Sequence, residues 1–449
     1  LFTDGMVLQR GVPCPIWGTA DADEEISVSL APDNGFVINS PPVKADKNGH
    51  WVVKIGLLSA GGPYTLTIKG KNTVTLKHVL VGEVWVASGQ SNMEMALKDC
   101  AGGKEAVAES KNPNIRLFKV HHKIAAEPTT DLGGKWEECN PDTVANFSGV
   151  AYYFGRDLQK ALNVPVGLIE SNWGGTVAEA WTPRANLEAN PDLKKLIPAE
   201  IKIDDKKPNP NQGTVLFNGM INPLLPFAVT GVIWYQGESN AGRAYQYRTL
   251  FPTMIQSWRE QWNNPDLPFL FVQLAPWHDP RDESDVHWAE LRDAQLSTSE
   301  KVKNTGMAVI TDVGDEKDIH PKRKEPVGHR LSLCALAIAY GEKIVYSGPM
   351  YEGVKFDGAK AVLKFRSLGM GLEAKDLGNQ ANPVASLEGF LVAGDDKKFH
   401  EAKAEIEGDT VVVTCADVQK PVAVRYGWAN SPVCNLFNKD GLPASPFRT

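Results

Sequence analysis

Six near-continuous apolar runs dominate the hydrophobic pattern between residues 78 and 314, and each of them ends in small or polar residues. The runs are HVLVGEVWVASG (78–89), NIRLFKVH (114–121), VPVGLIESNWGG (164–175), VTGVIWYQGESN (229–240), PFLFVQLAP (268–276) and GMAVITDVG (306–314). A strand that is apolar along its whole length is covered on both faces, as the strands of a parallel sheet are. The pattern therefore predicts a mostly parallel sheet.

Segments with apolar residues at helical spacing separate these runs. The residues that share predicted helix faces are Ala151, Phe154, Leu158 and Leu162, then Tyr247, Leu250, Phe251, Met254, Ile255, Trp258 and Trp262, and finally Leu333, Leu336, Ala337 and Tyr340. Pro252 lies within the second set, where it must start the helix or kink it. Alternating strands and helices are typical of a three-layer α/β domain, which we place at residues 77–343.

The flanking regions have a different pattern. Residues 1–76 and 344–449 consist of short β-rich runs divided by turn residues. We therefore expect a β-sandwich-like domain on each side of the α/β domain. The stretch 186–212, which is rich in Asn, Lys and Pro, is expected to be a surface loop.

Composition narrows the class of protein. The 449 residues are 42% hydrophobic and 22% charged, as in folded proteins, and the net charge of −7 gives no basic footprint for nucleic acid. No apolar run approaches the roughly 18 residues that would span a bilayer. The chain begins at Leu1 without a signal-like segment, so we expect a processed or trimmed N-terminus.

The six cysteines show no spacing typical of a zinc site. Cys334, in an apolar helical segment, is predicted to be a buried free thiol. The pairs Cys100–Cys139 and Cys415–Cys434 are candidate disulfides if the compartment is oxidising. Neither a metal nor another cofactor is expected.

Candidate chemistry follows the apolar runs, because ligands bind at the carboxyl ends of the strands of an open parallel sheet. Ser91 follows the first run, Gly174 and Gly175 end the third, Gln236 follows the fourth, and His320 lies beyond the sixth. A serine hydroxyl becomes a nucleophile when a base takes its proton, and a histidine has a pKa suited to that role. Backbone N–H groups at the serine and at one of the glycines, with the Gln236 amide, would form an oxyanion hole. These parts predict acyl transfer.

The same residues lie in blocks that resemble SGNH-type esterases, and specifically the sialate O-acetylesterase family. The matching blocks, in chain order, are LFTDGMVLQRGVPCPIWGTA, WVASGQSNMEMAL, ESNWGGTVAEAW, WYQGESNAGRAYQYRTLFPTMIQSWREQW, DLPFLFVQLAPW, ELRDAQLS and DIHPKRKEPVGHRLSLCALAIAYG. They extend from residue 1 to about 343, and residues 344–449 carry no recognised motif. The resemblance implies a flavodoxin-like three-layer α/β/α hydrolase domain and a location outside the cytoplasm, periplasmic or secreted.

The resemblance also implies a reaction. The enzyme would be a serine esterase that removes O-acetyl groups from a sugar, with sialic acid as the leading substrate and acetylated xylan or another glycan as the alternative. Two rival classes remain, a non-catalytic carbohydrate-binding protein on the same scaffold and a metal-dependent amide deacetylase. The expected partner is an O-acetylated glycan, with no nucleic acid and no membrane span.

Residue by residue, the resemblance makes Ser91 the nucleophile and His320 the general base. The oxyanion hole would consist of the Ser91 N–H, the N–H of Gly175 (or Gly174) and the Gln236 side chain, where many SGNH enzymes have Asn.

One position departs from the family pattern. SGNH enzymes commonly place an aspartate three residues before the catalytic histidine, and this position is Lys317 here. Asp318 lies two residues before His320, and Asp315 lies five before it. We expect Asp318 to orient the histidine; the alternative is a backbone carbonyl and a Ser–His dyad.

Other polar and aromatic residues near these blocks have two interpretations each. Arg243 would bind the carboxylate of a sialic acid or form a surface ion pair. Trp173 and Trp181 would line a sugar pocket or belong to the core. Glu238 and Asn240 are expected to brace the Gln236 loop.

A metal role for His121 and His122 is conceivable, but no third ligand has a suitable spacing.

Overall fold

The structure, a computed structural model, describes residues 1–32, 34–204, 206–377 and 386–449. The chain divides into two compact units. The first contains residues 1–234 and 254–268, and the second contains residues 235–253 and 269–449.

The first unit contains the strands from β1 to β12 and the helices from α1 to α6. Its strands are β1 Val7–Gln9, β2 Cys14–Thr19, β3 Glu25–Pro32, β4 Ile38–Asn39, β5 Val43–Lys44, β6 His50–Ile55, β7 Gly61–Lys69, β8 Thr73–Gly89, β9 Asn112–Lys119, β10 Trp136–Cys139, β11 Val166–Asn172 and β12 Gly231–Tyr235, whose last residue belongs to the second unit. Its α-helices are α1 Ser91–Glu94, α2 Gly103–Ala108, α3 Pro141–Val144, α4 Gly149–Leu162, α5 Arg184–Glu188 and α6 Pro191–Lys194. Short 3-10 or π turns cover Leu97–Asp99, Ala178–Trp181, Phe217–Ile221 and Asn222–Leu224.

The second unit contains the remaining elements. Helix α7, Ala244–Gln261, runs through both units, and the second also has the 3-10 turn Glu238–Arg243. Its other helices are α8 His287–Lys301 and α9 Glu325–Ile338. Its strands are β13 Phe269–Val272, β14 Thr305–Ala308, β15 Met350–Asp357, β16 Lys360–Arg366, β17 Leu372–Ala374, β18 Phe390–Ala393, β19 Phe399–Glu401, β20 Lys403–Glu407, β21 Thr410–Thr414, β22 Ala423–Tyr426, β23 Leu436–Asn438 and β24 Phe447–Arg448.

Strand β8 joins two kinds of sheet in the first unit. Its first half pairs antiparallel with β7 in the N-terminal β region, and its second half pairs parallel with β11. The strand order is β10-β9-β11-β8-β12, with β9 and β11 also parallel and β10 antiparallel at the edge. The predicted mostly parallel sheet is confirmed, and each of the six apolar runs overlaps one of its strands or one of the parallel pair β13 and β14.

Helix α4 covers one face of this sheet. On the predicted face, Ala151, Phe154 and Leu158 are buried, whereas Leu162 at the end of the helix is half-buried. The Phe154 ring meets Trp85 of β8 edge to face at 5.1 Å. A Cβ added at Gly155 would lie 2.6 Å from the Leu168 side chain, so the helix lies unusually close to β11.

The buried face of α9 differs from the predicted one. The residues predicted to be buried, Leu333, Leu336, Ala337 and Tyr340, are only half-buried. The fully buried apolar positions are Val327, Leu331, Cys334 and Ala335. Apolar residues surround most of this helix, so their spacing does not reveal which side β14 covers.

The C-terminal β region is confirmed. Strands β15 to β24, within the described residues, form sheets with the orders β15-β16-β21-β20, β19-β18-β22-β24 and β17-β23. The proposed boundary at 76/77 falls inside β8, so the division into three domains stays a prediction.

Of the two alternatives for Pro252, the structure excludes a helix start, because α7 begins eight residues earlier and Pro252 lies inside it. One local expectation needs correction. The stretch 186–212 is not entirely a loop, since it contains the end of α5 and the whole of α6.

The cysteines are free thiols, so neither candidate disulfide is present. In one candidate pair the sulfur atoms are hydrogen-bonded elsewhere, Cys100 to the Ala96 carbonyl and Cys139 to the Ser110 carbonyl. Cys334 is buried as predicted, and burial raises the pKa of its thiol to about 12. Among the residues described, no helix is long and apolar enough to cross a membrane.

Replacing Trp85 by alanine tests the importance of the β8–α4 contact. Because the side chain is fully buried, Trp85→Ala should lower the free energy of unfolding by about 3–5 kcal/mol. Val74→Ala, at the exposed end of the same strand, should cost less than about 1 kcal/mol. Denaturant titration of both variants measures this, and equal losses would show that the β8–α4 contact is not a stability centre.

Candidate active site

Ser91 begins helix α1 directly beyond the carboxyl end of β8. Gly89 has φ +138°, a conformation that favours glycine, and Gln90 is extended before the helix starts. The Gln90 carbonyl then accepts hydrogen bonds from the N–H groups of Met93 and Glu94. The tight strand-to-helix turn therefore presents a serine in the first helical position.

The strand order gives this turn a special position. After β8 the chain forms β9 and β11 on one side of β8 and later reaches β12 on its other side. Ligands of open α/β sheets bind where the strand order reverses in this way. Ser91 thus lies at the edge where a substrate site is expected.

Gly174 packs directly against Ser91. The parallel register pairs Asn172 of β11 with Gly89 of β8, so the turns after both strands leave the sheet at one edge. A Cβ added at Gly174 would lie 3.3 Å from the Ser91 Cβ. The structure therefore brings together the first and third predicted blocks.

Glu94 distinguishes the two glycines that the sequence left as alternatives. The Gly174 N–H donates to Glu94 Oε2 at 2.6 Å. Gly175 has φ +73° and open space beside it, and its carbonyl accepts a hydrogen bond from Asn211 Nδ2 at 3.1 Å. Within the described ranges, the Gly175 N–H has no hydrogen-bond acceptor.

His122 contacts the same carboxylate and the neighbouring tryptophan. Its Nε2 lies 3.1 Å from Glu94 Oε1 and 3.0 Å from the Asn172 carbonyl oxygen, so this nitrogen carries the proton. Its ring stacks on Trp173 with 4.1 Å between centroids and 7° between planes. No group of three or more His, Cys, Asp or Glu side chains that could hold a metal occurs in the described part of the chain.

The pKa values of two carboxylic acids in this region, Glu94 and Glu170, are shifted in opposite directions. Burial works to raise the pKa of Glu94, but hydrogen bonds from His122 and the Gly174 N–H, with the charge of Lys119, outweigh it and lower that pKa. Glu170 is fully buried, and burial raises its pKa although Lys119 Nζ lies 3.0 Å away. Glu94 is thus held as a carboxylate in the first turn of α1.

Sequence reasoning missed Glu94 and the role of His122. A signal was present, because an acidic residue three positions after Ser91 lies in the first helical turn, where it complements the helix dipole. Nothing in the sequence showed that the loop after β9 would bring His122 to it.

Gln236 is held rigidly in the second unit. Its Nε2 donates to Asn240 Oδ1 at 2.6 Å, and the Tyr247 hydroxyl donates to its Oε1 at 3.0 Å. All three side chains are buried, so the amide has one defined orientation. The predicted bracing by Asn240 is confirmed.

Asp318 holds His320 through the backbone. The Asp318 carboxylate accepts the His320 backbone N–H at 2.9 Å, while its Oδ1 lies 3.7 Å from Nδ1 of the ring. Burial, the largest influence, lowers the pKa of His320, whereas the charge of Asp318 raises it and those of Lys324 and Lys322 lower it.

Three other candidate residues have defined environments. Trp181 belongs to the core, where its ring is fully buried and donates to Thr176 Oγ1 at 3.0 Å. Trp173 is half-buried. Arg243 Nη1 donates to Gln246 Oε1 at 2.7 Å.

Comparison with known proteins shows the family to which the chain belongs. Residues 81–332 match the family model described as carbohydrate esterase, sialic acid-specific acetylesterase. The human sialate O-acetylesterase is 31% identical over 99% of this chain and 91% of its own length. The rat sialate O-acetylesterase is also 31% identical, over 98% of this chain and 92% of its own.

A solved structure is similar along the whole chain. The crystal structure of a carbohydrate acetylesterase from Xanthomonas citri has a TM-score of 0.89 and 42% identity, and the match covers 100% of this chain and 98% of that one. Fold and similarity together define a carboxylic ester hydrolase of the carbohydrate esterase class. The chain belongs to the sialic acid-specific acetylesterase family.

The Tyr247 hydroxyl is expected to stabilise the Gln236 loop. Tyr247→Phe keeps the buried ring but removes a donor to a buried amide oxygen, so it should cost about 1–3 kcal/mol of unfolding free energy. Tyr245→Phe, two residues away and 89% exposed, should change it by less than about 0.5 kcal/mol. The two melting curves measure the difference, and superimposable curves would contradict the bracing role.

Proposed function

We propose that this protein hydrolyses O-acetyl esters of sialic acid, with Ser91 as nucleophile and His320 as general base. The packing of Gly174 against Ser91 at the switch point of the sheet carries the proposal, because it supports a role for the glycine turn in binding an ester that Ser91 attacks. Membership of the sialic acid-specific acetylesterase family supports the substrate class.

The proposed reaction has two steps. His320 accepts the hydroxyl proton while the Ser91 oxygen attacks the acetyl carbonyl, and it then donates that proton to the departing sugar oxygen. Water, deprotonated by the same histidine, then attacks the acetyl-enzyme. The bond to the Ser91 oxygen breaks, and the histidine returns its proton to that oxygen as acetic acid leaves. Atoms balance as one ester and one water giving one sugar hydroxyl and one acetic acid.

The oxyanion of each tetrahedral intermediate would be bound by three donors. They are the N–H of Ser91, the N–H of Gly175 and the side-chain amide of Gln236. Glu94 supports the choice of Gly175, because it already binds the Gly174 N–H. Removal of one such donor typically reduces kcat by about 10²–10³.

Asp318 would act on the histidine mainly through charge. Its carboxylate positions the backbone of residue 320, and its negative charge favours the imidazolium that forms during proton transfer. At 3.7 Å, the carboxylate oxygen is too far from Nδ1 for a hydrogen bond in the unliganded protein.

Substrate recognition would use Trp173 and Arg243. The half-buried indole is fixed by stacking on His122, which makes it a suitable surface for a sugar ring. A guanidinium has five N–H donors, so Arg243 is able to bind a sialic acid carboxylate while it contacts Gln246. We also propose that the protein is located outside the cytoplasm, either in the periplasm or secreted.

Activity of three variants tests the mechanism. Ser91→Ala and His320→Ala should abolish acetate release, while Asp318→Asn should leave an intermediate rate, because only an electrostatic contribution is lost. The assay uses nitrophenyl acetate, a panel of O-acetylated sialic acids and acetylated xylan. Ser299→Ala, a serine hydrogen-bonded within α8, is the control.

Two results of that assay would contradict the proposal. Turnover by Ser91→Ala would exclude the proposed nucleophile. Preference for xylan over every sialic acid would refute the proposed substrate while leaving the chemistry in place.

The pH dependence tests the role of His320 independently. As a base it must be neutral, and its pKa is lowered, so kcat/KM should fall with decreasing pH only below about 6.5. Removing the positive charge in Lys322→Ala should move this acid limb to higher pH by a few tenths of a unit, and Asp318→Asn should move it to lower pH. Lys343→Ala is the control, and shifts of the same sign in both variants would contradict the assignment.

A further inference from the structure

Both oxygens of the Glu94 carboxylate are bound. Oε2 accepts the Gly174 N–H at 2.6 Å, and Oε1 lies 3.1 Å from the protonated Nε2 of His122. One side chain therefore ties together helix α1, the loop after β9 and the turn after β11. Each of these segments leaves the same edge of the sheet.

The contact with His122 extends this connection to Trp173. The imidazole is parallel to the indole at 4.1 Å, and its Nε2 also contacts the Asn172 carbonyl at 3.0 Å. Glu94 and the Asn172 carbonyl hold the His122 ring, and the Trp173 ring stacks on it. The orientation of the Trp173 ring therefore depends on the position of the Glu94 carboxylate.

Helix α1 has a second anchor that does not involve Glu94. The Ser148 hydroxyl donates to the Met93 carbonyl at 2.6 Å, and the Ser148 N–H donates to buried Glu170. Loss of the Glu94 side chain should therefore leave Ser91 on its helix and release mainly the turn that carries Gly174 and Gly175.

We propose that Glu94 is a positioning residue that aligns both the oxyanion donor and the sugar-binding surface. It holds the turn so that the Gly175 N–H faces the reacting carbonyl, and it sets the plane of Trp173 through His122. This inference rests on the proposed function, which gives the Gly175 N–H and Trp173 their roles. Displacements near 1 Å at such a site are able to reduce rates about 10²-fold.

The two oxygens explain why a carboxylate occupies this position. Gly174 and His122 each present an N–H, so the side chain between them must accept twice. A glutamine offers one oxygen and one amide nitrogen. It would keep the Gly174 contact and would bind His122 only if the imidazole moved its proton to Nδ1, which would remove the contact with Asn172.

Steady-state kinetics of the full chain on two substrates test the proposal. Glu94→Ala should lower kcat for nitrophenyl acetate about 10–100-fold with little change in KM, because an oxyanion donor acts in the transition state. Glu94→Gln should recover at least a third of the wild-type kcat. His122→Ala should keep kcat for this small ester within about threefold and raise KM for an O-acetylated sialic acid about 3–10-fold.

Controls separate positioning from folding. Glu105→Ala, an exposed carboxylate on α2, should behave as wild type. Circular dichroism and titration of reactive serine correct each kcat for the folded fraction, and Glu94→Gln keeps the test valid if Glu94→Ala does not fold. After this correction, kcat within about twofold of wild type in Glu94→Ala would overturn the proposal. If Glu94→Ala does not fold, Glu94→Gln decides: it loses the second acceptor for His122, so an unchanged KM for the O-acetylated sialic acid would overturn the proposal.

The activities of Ser91→Ala and Glu94→Ala together separate the positioning role of Glu94 from the proposed function. An inactive Ser91→Ala together with an unaffected Glu94→Ala would overturn only the positioning role. An active Ser91→Ala would overturn the proposed function, and with it the role of Glu94.

Discussion

The parallel register between β8 and β11 is the constraint on which the candidate site depends. Pairing of Gly89 with Asn172 makes both strands end at the same level, so the turn that starts α1 and the Gly174–Gly175 turn meet. Side chains alternate along a strand, so a slip of one residue would reverse their faces and separate the two turns. The burial of Trp85 against α4 keeps β8 in this register.

Polar side chains then fix what the strands bring together. In the first unit, Glu94 receives one hydrogen bond from a backbone N–H and a second contact from an imidazole, and the lowered pKa of its carboxyl follows from these contacts. In the second unit, the amide of Gln236 is held between Asn240 and Tyr247. Groups fixed in this way need little reorganisation when charge develops on a substrate, which is the main source of electrostatic catalysis.

The strands and the candidate chemistry were predictable, but several contacts were not. Continuous apolar runs identified all six strands, because a strand buried on both faces contains few polar residues. The same logic failed for α9, whose apolar residues surround the helix and leave the buried side undefined. The free state of the four cysteines in the candidate disulfide pairs was equally hidden, since the sequence does not state which cysteines lie close together. Glu94 and His122 are 28 residues apart and meet only because their loops leave one sheet edge.

The sequence by itself determined the class of fold, the positions of the strand ends and the residue types available for acyl transfer. These properties are local, because hydrophobic period and turn residues act over a few positions along the chain. The tertiary structure alone decided that Glu94 accepts the Gly174 N–H, that His122 contacts Glu94 and stacks on Trp173, and that the Asp318 carboxylate accepts the backbone N–H of His320. Such choices depend on distances of about 3 Å between segments far apart in sequence, and only the packing of the whole sheet sets those distances.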